Sequence, residues 1–238
     1  MKLAFIIDPI NEFNIDRDSS FALMLASQKR NYEIWITEPK DLWAFNNNVF
    51  AKMQKVKVER NYNKHYEILE TKICDLSNFS AVFMRKDPPF NMEYIHTTYL
   101  LSLIKDRTLV INDPDGIRKA NEKIFILDFP EIITDTIVTK SKEVILEFLN
   151  KVGGKIVLKP LDRRGGEGIF ILKEGDKNLH ALIDVSTNYQ STTIMAQKYI
   201  EEAEKGDKRI IIIKGEPMGA FLRVPSQYDH RGKLMCRC

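Results

Sequence analysis

Three cysteines in 238 residues, Cys74, Cys236 and Cys238, are too few for a disulfide framework and fit a reducing compartment, with the cytoplasm as the expected location. No apolar run approaches the ~18 residues that a membrane-spanning helix needs, so a helical membrane protein is excluded. The opening Met1–Asp8 is too short for a signal peptide and reads as a first β-strand. Charge of one sign is also scarce: 36 basic against 33 acidic residues leave a net +3, too balanced to imply a nucleic-acid partner. The four histidines, His65, His96, His180 and His230, show no metal-ligand spacing and read as structural or surface residues, which leaves no metal ligand among them. No Ser/His/Asp or Cys/His nucleophile can be argued. No glycine fingerprint follows the first strand, which speaks against a dinucleotide-dependent oxidoreductase, and no Gly-Lys-Ser/Thr marks a P-loop.

What is present is ordinary globular material, 44% hydrophobic and 29% charged, enough for a sizeable core. The first third alternates strand and helix. Strands are predicted at Lys2–Ile7, Glu33–Thr37, Ala81–Met84 and Leu109–Ile111, with an edge strand at Val56–Val58. Helices are predicted from a cap at Asp18 or Ser19 to about Arg30, and from Met92 to Lys105. This pattern predicts a mostly parallel sheet whose ligands gather at the carboxyl ends of strands, where Asp8 and Arg85–Asp87 fall. Asn112-Asp-Pro114 punctuates the chain, and a helix over Asp115–Asp128 is expected next. The remainder reads as α+β: helices at Ser141–Asn150 and Asn178–Val185, a strand at Thr193–Gln197, and a hairpin of Arg209–Ile213, a turn at Lys214–Pro217, and Ala220–Val224.

The most informative segment is Lys155–Gly168. Ile156, Val157 and Leu158 form a buried-strand run, Lys159 stands where that strand leaves the core, and Gly165, Gly166 and Gly168 let backbone N–H groups approach a phosphate. Alone, the segment also reads as a glycine-containing hairpin with a surface lysine. Likewise Lys123 alone is a solvated helix residue, Met195–Ile200 a core strand, and Asp207-Lys-Arg209 a charged turn.

Taken in order, Asp8-Pro-Ile10 with Asp18-Ser-Ser-Phe21, Met84–Phe90, Asn121–Phe125, Leu158–Asp162 with Gly165-Gly166, Met195–Tyr199 and Gly206–Arg209 resemble the prokaryotic glutathione synthetases, members of the ATP-grasp ligases. The resemblance runs from the first residues to about Arg231. It implies an α/β fold, with a parallel α/β (pre-ATP-grasp) substrate-side domain over residues 1–120 and an incomplete α+β ATP-grasp domain over 121–238. It implies ATP-dependent ligation of γ-glutamylcysteine and glycine through an acyl phosphate, with Mg2+ screening the phosphates. Small molecules are then the partners, and homo-oligomerisation stays open. The resemblance assigns Lys123 and Lys159 to the ATP phosphates, gathered with Lys198 around one cleft. It assigns Gly165 and Gly166 to a loop closing over the nucleotide, and Gln197, Lys198, Tyr199 and Ile200 to a hinge recognising adenine. It further implies that Asp207 faces the nucleotide, that Arg209 is the catalytic cation at the acyl phosphate, and that Arg85, Lys86 and Asp87 belong to the substrate side.

Two departures stand out. Arg163 replaces a glycine usual in the family, which would stiffen the loop or add a phosphate-directed charge. After Arg231-Gly-Lys-Leu234 the resemblance breaks, and Met235-Cys-Arg-Cys238 follows. A truncated or frameshifted C-terminus is the expectation, with the acidic and asparagine magnesium ligands missing, since only Glu216 and Asp229 are acidic after Arg209. On that expectation the chain alone has little activity. Two alternatives remain: a non-catalytic nucleotide-binding remnant, or another ATP-grasp carboxylate–amine ligase.

Overall fold

Apolar residues on alternating positions organise three hydrophobic cores, two on the faces of one sheet and one in a second. The computed structural model describes residues 1–213 and 215–224, so Lys214, Asp229, His230, Arg231–Leu234, Cys236 and Cys238 lie outside the described residues. The chain divides into two units, Met1–Asn121 and Glu122 onward.

The first unit holds β1 (Lys2–Ile6), α1 (Ser19–Gln28), β2 (Glu33–Thr37), β3 (Leu42–Phe45), β4 (Asn48–Val58) and β5 (Tyr66–Asp75), followed by β6 (Ala81–Met84), α2 (Met92–Ser102), β7 (Leu109–Ile111) and α3 (Pro114–Lys119). Its sheet is mixed rather than mostly parallel. The pairs β2–β1, β1–β6 and β6–β7 are parallel, whereas β4 runs antiparallel to β2, β3 and β5. Ala4, Ile6 and Trp35 pack on one face, while Leu3, Phe5 and Ile34 pack on the other with Phe21 and Met24 of α1. A strand covered on both faces needs such a continuous apolar run. Each fully buried side chain of this size contributes ~1.5–3 kcal/mol over its exposed state. Asp18 caps α1 by accepting from the Ser20 and Phe21 N–H groups at 2.7 and 2.9 Å.

Three expectations are corrected here. Val56–Val58 is the end of the eleven-residue β4, flanked by other strands, and β5 is the outer strand. The expected helix over Asp115–Asp128 stops at Lys119 and resumes only as a 3₁₀ segment at Ile124–Asp128. Ile124, Phe125, Ile126 and Leu127 are apolar without a 3.6-residue period, so they make no stripe that a helix could bury. The parallel sheet becomes mixed because β3, β4 and β5 form a meander on its flank.

The second unit contains β8 (Thr136–Thr139), α4 (Lys142–Lys151), β9 (Lys155–Pro160), β10 (Phe170–Lys173), α5 (Leu179–Ser186) and β11 (Ile194–Lys198), then β12 (Asp207–Ile213) and β13 (Glu216–Arg223). Four strands make an antiparallel sheet in the order β10-β9-β11-β8, and β12 and β13 pair as a separate hairpin. Ile156, Leu158, Ile194 and Ala196 point to one face of the sheet and pack with Ile145 and Ile183 of the two helices. Strand alternation therefore sends Val157, Lys159, Met195 and Gln197 to the other face.

Candidate functional site

Lys159 owes its position to that alternation. Its neighbours Ile156 and Leu158 are wholly buried, which anchors β9 and holds the lysine on the helix-free face. The Lys159 Nζ donates to Gln197 Oε1 at 2.5 Å, and the Gln197 Nε2 donates to Thr136 Oγ1 at 2.8 Å. The Thr136 hydroxyl in turn donates to the Thr134 carbonyl at 2.7 Å. Gln197 is 6% exposed, so this chain of neutral groups fixes both amide ends and aims the ammonium. Burial lowers the Lys159 pKa from the ordinary lysine value, and repulsion from Lys123 lowers it further. Among the described residues no carboxylate pairs with it. Two ammonium groups brought close in a half-buried setting favour an anion between them.

Lys123 donates to Glu122 Oε1 and to the Arg163 carbonyl, both at 2.7 Å. It lines a cavity of about 300 Å³ together with Arg163, Arg164, Gly165, Gly166 and Arg223. Gly165 and Gly166 have φ of +63° and +79°, a left-handed conformation that suits glycine and turns successive N–H groups toward one side. Arg163 ion-pairs with Glu167 inside the same loop. Four cationic side chains and a glycine turn surround this one hollow, together with the carboxylates of Glu122 and Glu167.

The hairpin contributes a residue that the sequence reading missed. Arg223 reaches the cavity and donates from Nε to Asp207 Oδ2 at 2.9 Å. The register Asp207↔Arg223 and Arg209↔Phe221 puts Asp207, Arg209 and Arg223 on one face of the hairpin. Gly206 is fixed at its base, because a Cβ there would lie 2.5 Å from the Arg223 carbonyl oxygen. The signal for Arg223 was available as an arginine opposite Asp207, but only once the strand register was known.

At the end of β11 the residues expected to form a hinge separate by side-chain direction. Lys198 pairs with Ile156 across the sheet, so its side chain points toward the helix-covered side and not into a cleft with Lys123 and Lys159. That expectation is corrected, and only the Lys198 backbone stays relevant. The Lys198 N–H donates to Asp135 O at 2.9 Å and the Tyr199 N–H to Lys155 O at 3.1 Å, on opposite sides of the strand. Ile200 is next to face the β8 side, and no described residue accepts from its N–H. The Tyr199 ring lies under Lys155 Nζ at 3.9 Å.

In the first unit, the carboxyl ends of neighbouring parallel strands β1 and β6 bring Asp8 beside Arg85–Asp87. Asp8 accepts from Lys86 Nζ at 2.6 Å and from the Asp87 N–H at 2.8 Å. The Arg85 guanidinium donates to Ser20 Oγ at 3.0 Å and Ser19 Oγ at 2.6 Å, at the amino end of α1. Burial raises the Tyr94 pKa, with Arg85 opposing the rise and Asp8 adding to it. Tyr94 and the two serines were not anticipated as site residues.

Comparison with known proteins adds two kinds of finding. Residues 1–118 match the family model of the prokaryotic glutathione synthetase N-terminal domain, and 122–237 match that of the prokaryotic glutathione synthetase ATP-grasp domain. The glutathione synthetase of Shewanella oneidensis is 42% identical over 236 residues, covering 98% of this chain and 75% of that protein. That of Gloeobacter violaceus is 38% identical over 240 residues, covering 98% and 74%. Among solved structures, D-cycloserine synthetase DcsG superposes with a TM-score of 0.62 at 14% identity, covering 94% of this chain and 68% of that one, a likeness of fold.

Proposed function

The chain belongs to the prokaryotic glutathione synthetases, ATP-dependent carboxylate–amine ligases that join γ-glutamylcysteine to glycine, and from that premise we propose which of its residues carry the reaction. The observation that carries the assignment is the cationic cavity of Lys123, Arg163, Arg164 and Arg223 under a glycine turn, with the desolvated Lys159 close to Lys123. Its charge and its exposed backbone N–H groups suit a nucleotide triphosphate.

Lys123 and Lys159 hold the phosphates, and Gly165 and Gly166 close over them. Gln197 orients Lys159, while the Lys198 carbonyl and the Ile200 N–H face the same side of the strand and offer an acceptor and a donor to the adenine edge. Tyr199 supplies an apolar ring beside that edge. Asp207 holds Arg223, which leaves Arg209 on the same hairpin face as the cation for the acyl phosphate. Arg85, kept extended by Ser19 and Ser20, pairs with a carboxylate of γ-glutamylcysteine, and Asp8 with Lys86 and Asp87 fixes the loop that carries it.

The chemistry follows from these placements. A substrate carboxylate oxygen attacks the γ-phosphorus, ADP leaves, and the glycine amine then displaces phosphate from the acyl carbon. Two anions must approach in the first step, so fixed cations carry much of the stabilisation. Among the described residues no group of three carboxylates, histidines or cysteines could hold a metal ion. We place the Mg2+ ligands outside the described residues. No described helix is long and apolar enough to cross a membrane, and we place the enzyme in the cytoplasm, where the unpaired Cys74 stays reduced.

The test is steady-state ADP release with γ-glutamylcysteine, glycine and magnesium. The 238-residue chain is compared with one extended by the part of the Shewanella oneidensis protein that it does not cover. Release that needs both substrates is expected from the extended chain, at a rate roughly 10²-fold or more above the 238-residue chain, as expected when a set of charge-stabilising groups is restored. Release indifferent to γ-glutamylcysteine in both would contradict the ligase assignment.

A further inference from the structure

The cationic hollow of the second unit carries anions of its own. Its lining sets Lys123, Arg163, Arg164 and Arg223 against the carboxylates of Glu122 and Glu167. The Arg163 guanidinium ion-pairs with Glu167, four residues further on. The Arg163 carbonyl accepts from Lys123 Nζ at 2.7 Å, and Lys123 also pairs with Glu122 at 2.7 Å. Two cations of the hollow are therefore engaged by the protein itself, and Arg163 takes part in both contacts.

The loop that carries this pair is packed at its far end. Gly168 lies against Pro160, the last residue of β9, where a Cβ would stand 2.9 Å from Pro160 Cγ. A Cβ on Gly165 would meet no described atom within 4 Å. The Glu167 N–H donates to Arg164 O at 3.1 Å and the Ile169 N–H to Gly166 O at 3.3 Å, which folds the segment back on itself. Arg163 supplies two of the contacts that hold residues 163–166 in place.

We propose that Glu167 is a built-in competitor for the nucleotide: its carboxylate holds Arg163 in the free protein, and a phosphate displaces it when the nucleotide binds. The inference rests on the nucleotide reading of this hollow and adds a residue that the reading did not assign. A glycine, the residue usual in the family at position 163, could not make the pair, so the device belongs to this chain. Carboxylate and phosphate oxygens address a guanidinium in the same two-pronged way, and they compete for it. A triphosphate carries more charge than one carboxylate and wins the exchange, but the exchange breaks the ion pair. Apparent affinity falls by the fraction of molecules in which the pair is closed. The two side chains are 52% and 63% exposed, which limits the pair to a few-fold effect. When the nucleotide leaves, the same carboxylate retakes Arg163 and resets the loop.

The experiment makes two measurements on the 238-residue chain, on Glu167→Gln, on Arg163→Ala and on the double variant. In isothermal titration at low salt, Glu167→Gln should tighten binding of a non-hydrolysable ATP analogue by roughly threefold and leave adenosine unchanged. The gain should shrink at high salt, and it should vanish when residue 163 is already alanine. A gain that persists there would mean that Glu167 repels the phosphates directly, and would overturn the proposal. The second measurement is trypsin cleavage after Arg164 with no nucleotide present, which reads opening of the loop. Glu167→Gln should speed that cut by roughly the same threefold in the native chain, and not in the Arg163→Ala chain, where no pair is left to lose. If either the affinity or the cut is indifferent to Glu167→Gln, the competitor is overturned and the nucleotide reading stands. If the analogue binds the native chain no better than adenosine, the nucleotide reading falls and the proposal falls with it.

Discussion

Replacing Lys159 with alanine is expected to weaken ATP binding by roughly tenfold to a hundredfold, the range for a charge-assisted hydrogen bond at a partly buried site. Adenosine should bind the variant and the native chain equally, because the Lys159 ammonium belongs to the phosphate end of the site. The lysine is held on the helix-free face by the buried Ile156 and Leu158, and Gln197 fixes its tip. In the ligase assay of the extended chain the same change should lower ADP release by about 10²–10³, as removal of one preorganised charge-stabilising donor does elsewhere. Calorimetric titration and the release assay check the two halves. If ATP and adenosine affinities fall together, Lys159 supports the fold of the site and not the phosphates.

Arg85→Ala should act on the other substrate. The expected result is a fall in kcat/KM for γ-glutamylcysteine of roughly tenfold to a hundredfold, with ATP binding unchanged. Ser19 and Ser20 are neutral partners for the guanidinium, so its charge is available to a carboxylate. Arg85→Lys should recover only part of the loss, because an ammonium cannot form the paired N–H contacts of a guanidinium. Steady-state kinetics of the extended chain, with each substrate varied in turn, would separate the effects. A loss that appears equally in the ATP dependence would contradict a role confined to the γ-glutamylcysteine side.

Much of this site was legible because its residues lie beside strong local signals. Lys159 follows a run of three apolar residues, Gly165 and Gly166 form an uncommon glycine pair, and Asp8 and Arg85 end two of the clearest buried strands. Short-range pattern is enough for such positions. Side-chain direction was less legible. Lys198 belongs to the anticipated hinge, yet its parity along β11 turns it away from Lys159, and parity needs the register of the sheet. Arg223 and Thr136 join the site through pairings 16 and 61 residues apart in sequence, which a window on one strand cannot show.

The fold was least legible where one strand serves two cores. In β4, Val49, Ala51 and Met53 pack on one side of the sheet and Val56 and Val58 on the other, so the alternation slips phase midway and only its last residues read as strand. β5 was hidden for the opposite reason: Glu67, Glu70 and Lys72 on an exposed edge look like a loop to any burial pattern. Neither feature altered the functional reading, since the residues placed in the nucleotide site come from the second unit, on β9, β11, the β12–β13 hairpin and the loops around them.

The central claim is that the second unit presents its cations to nucleotide phosphates. Isothermal titration of the 238-residue chain with a non-hydrolysable ATP analogue and with adenosine, at low and high salt, tests it most directly. The account predicts at least about tenfold tighter binding of the analogue at low salt, because Lys123, Lys159, Arg163, Arg164 and Arg223 address the phosphates. That ratio should narrow as salt screens the exposed arginines. Equal affinities for the two ligands at low salt would contradict the claim, for then the phosphates would contribute nothing.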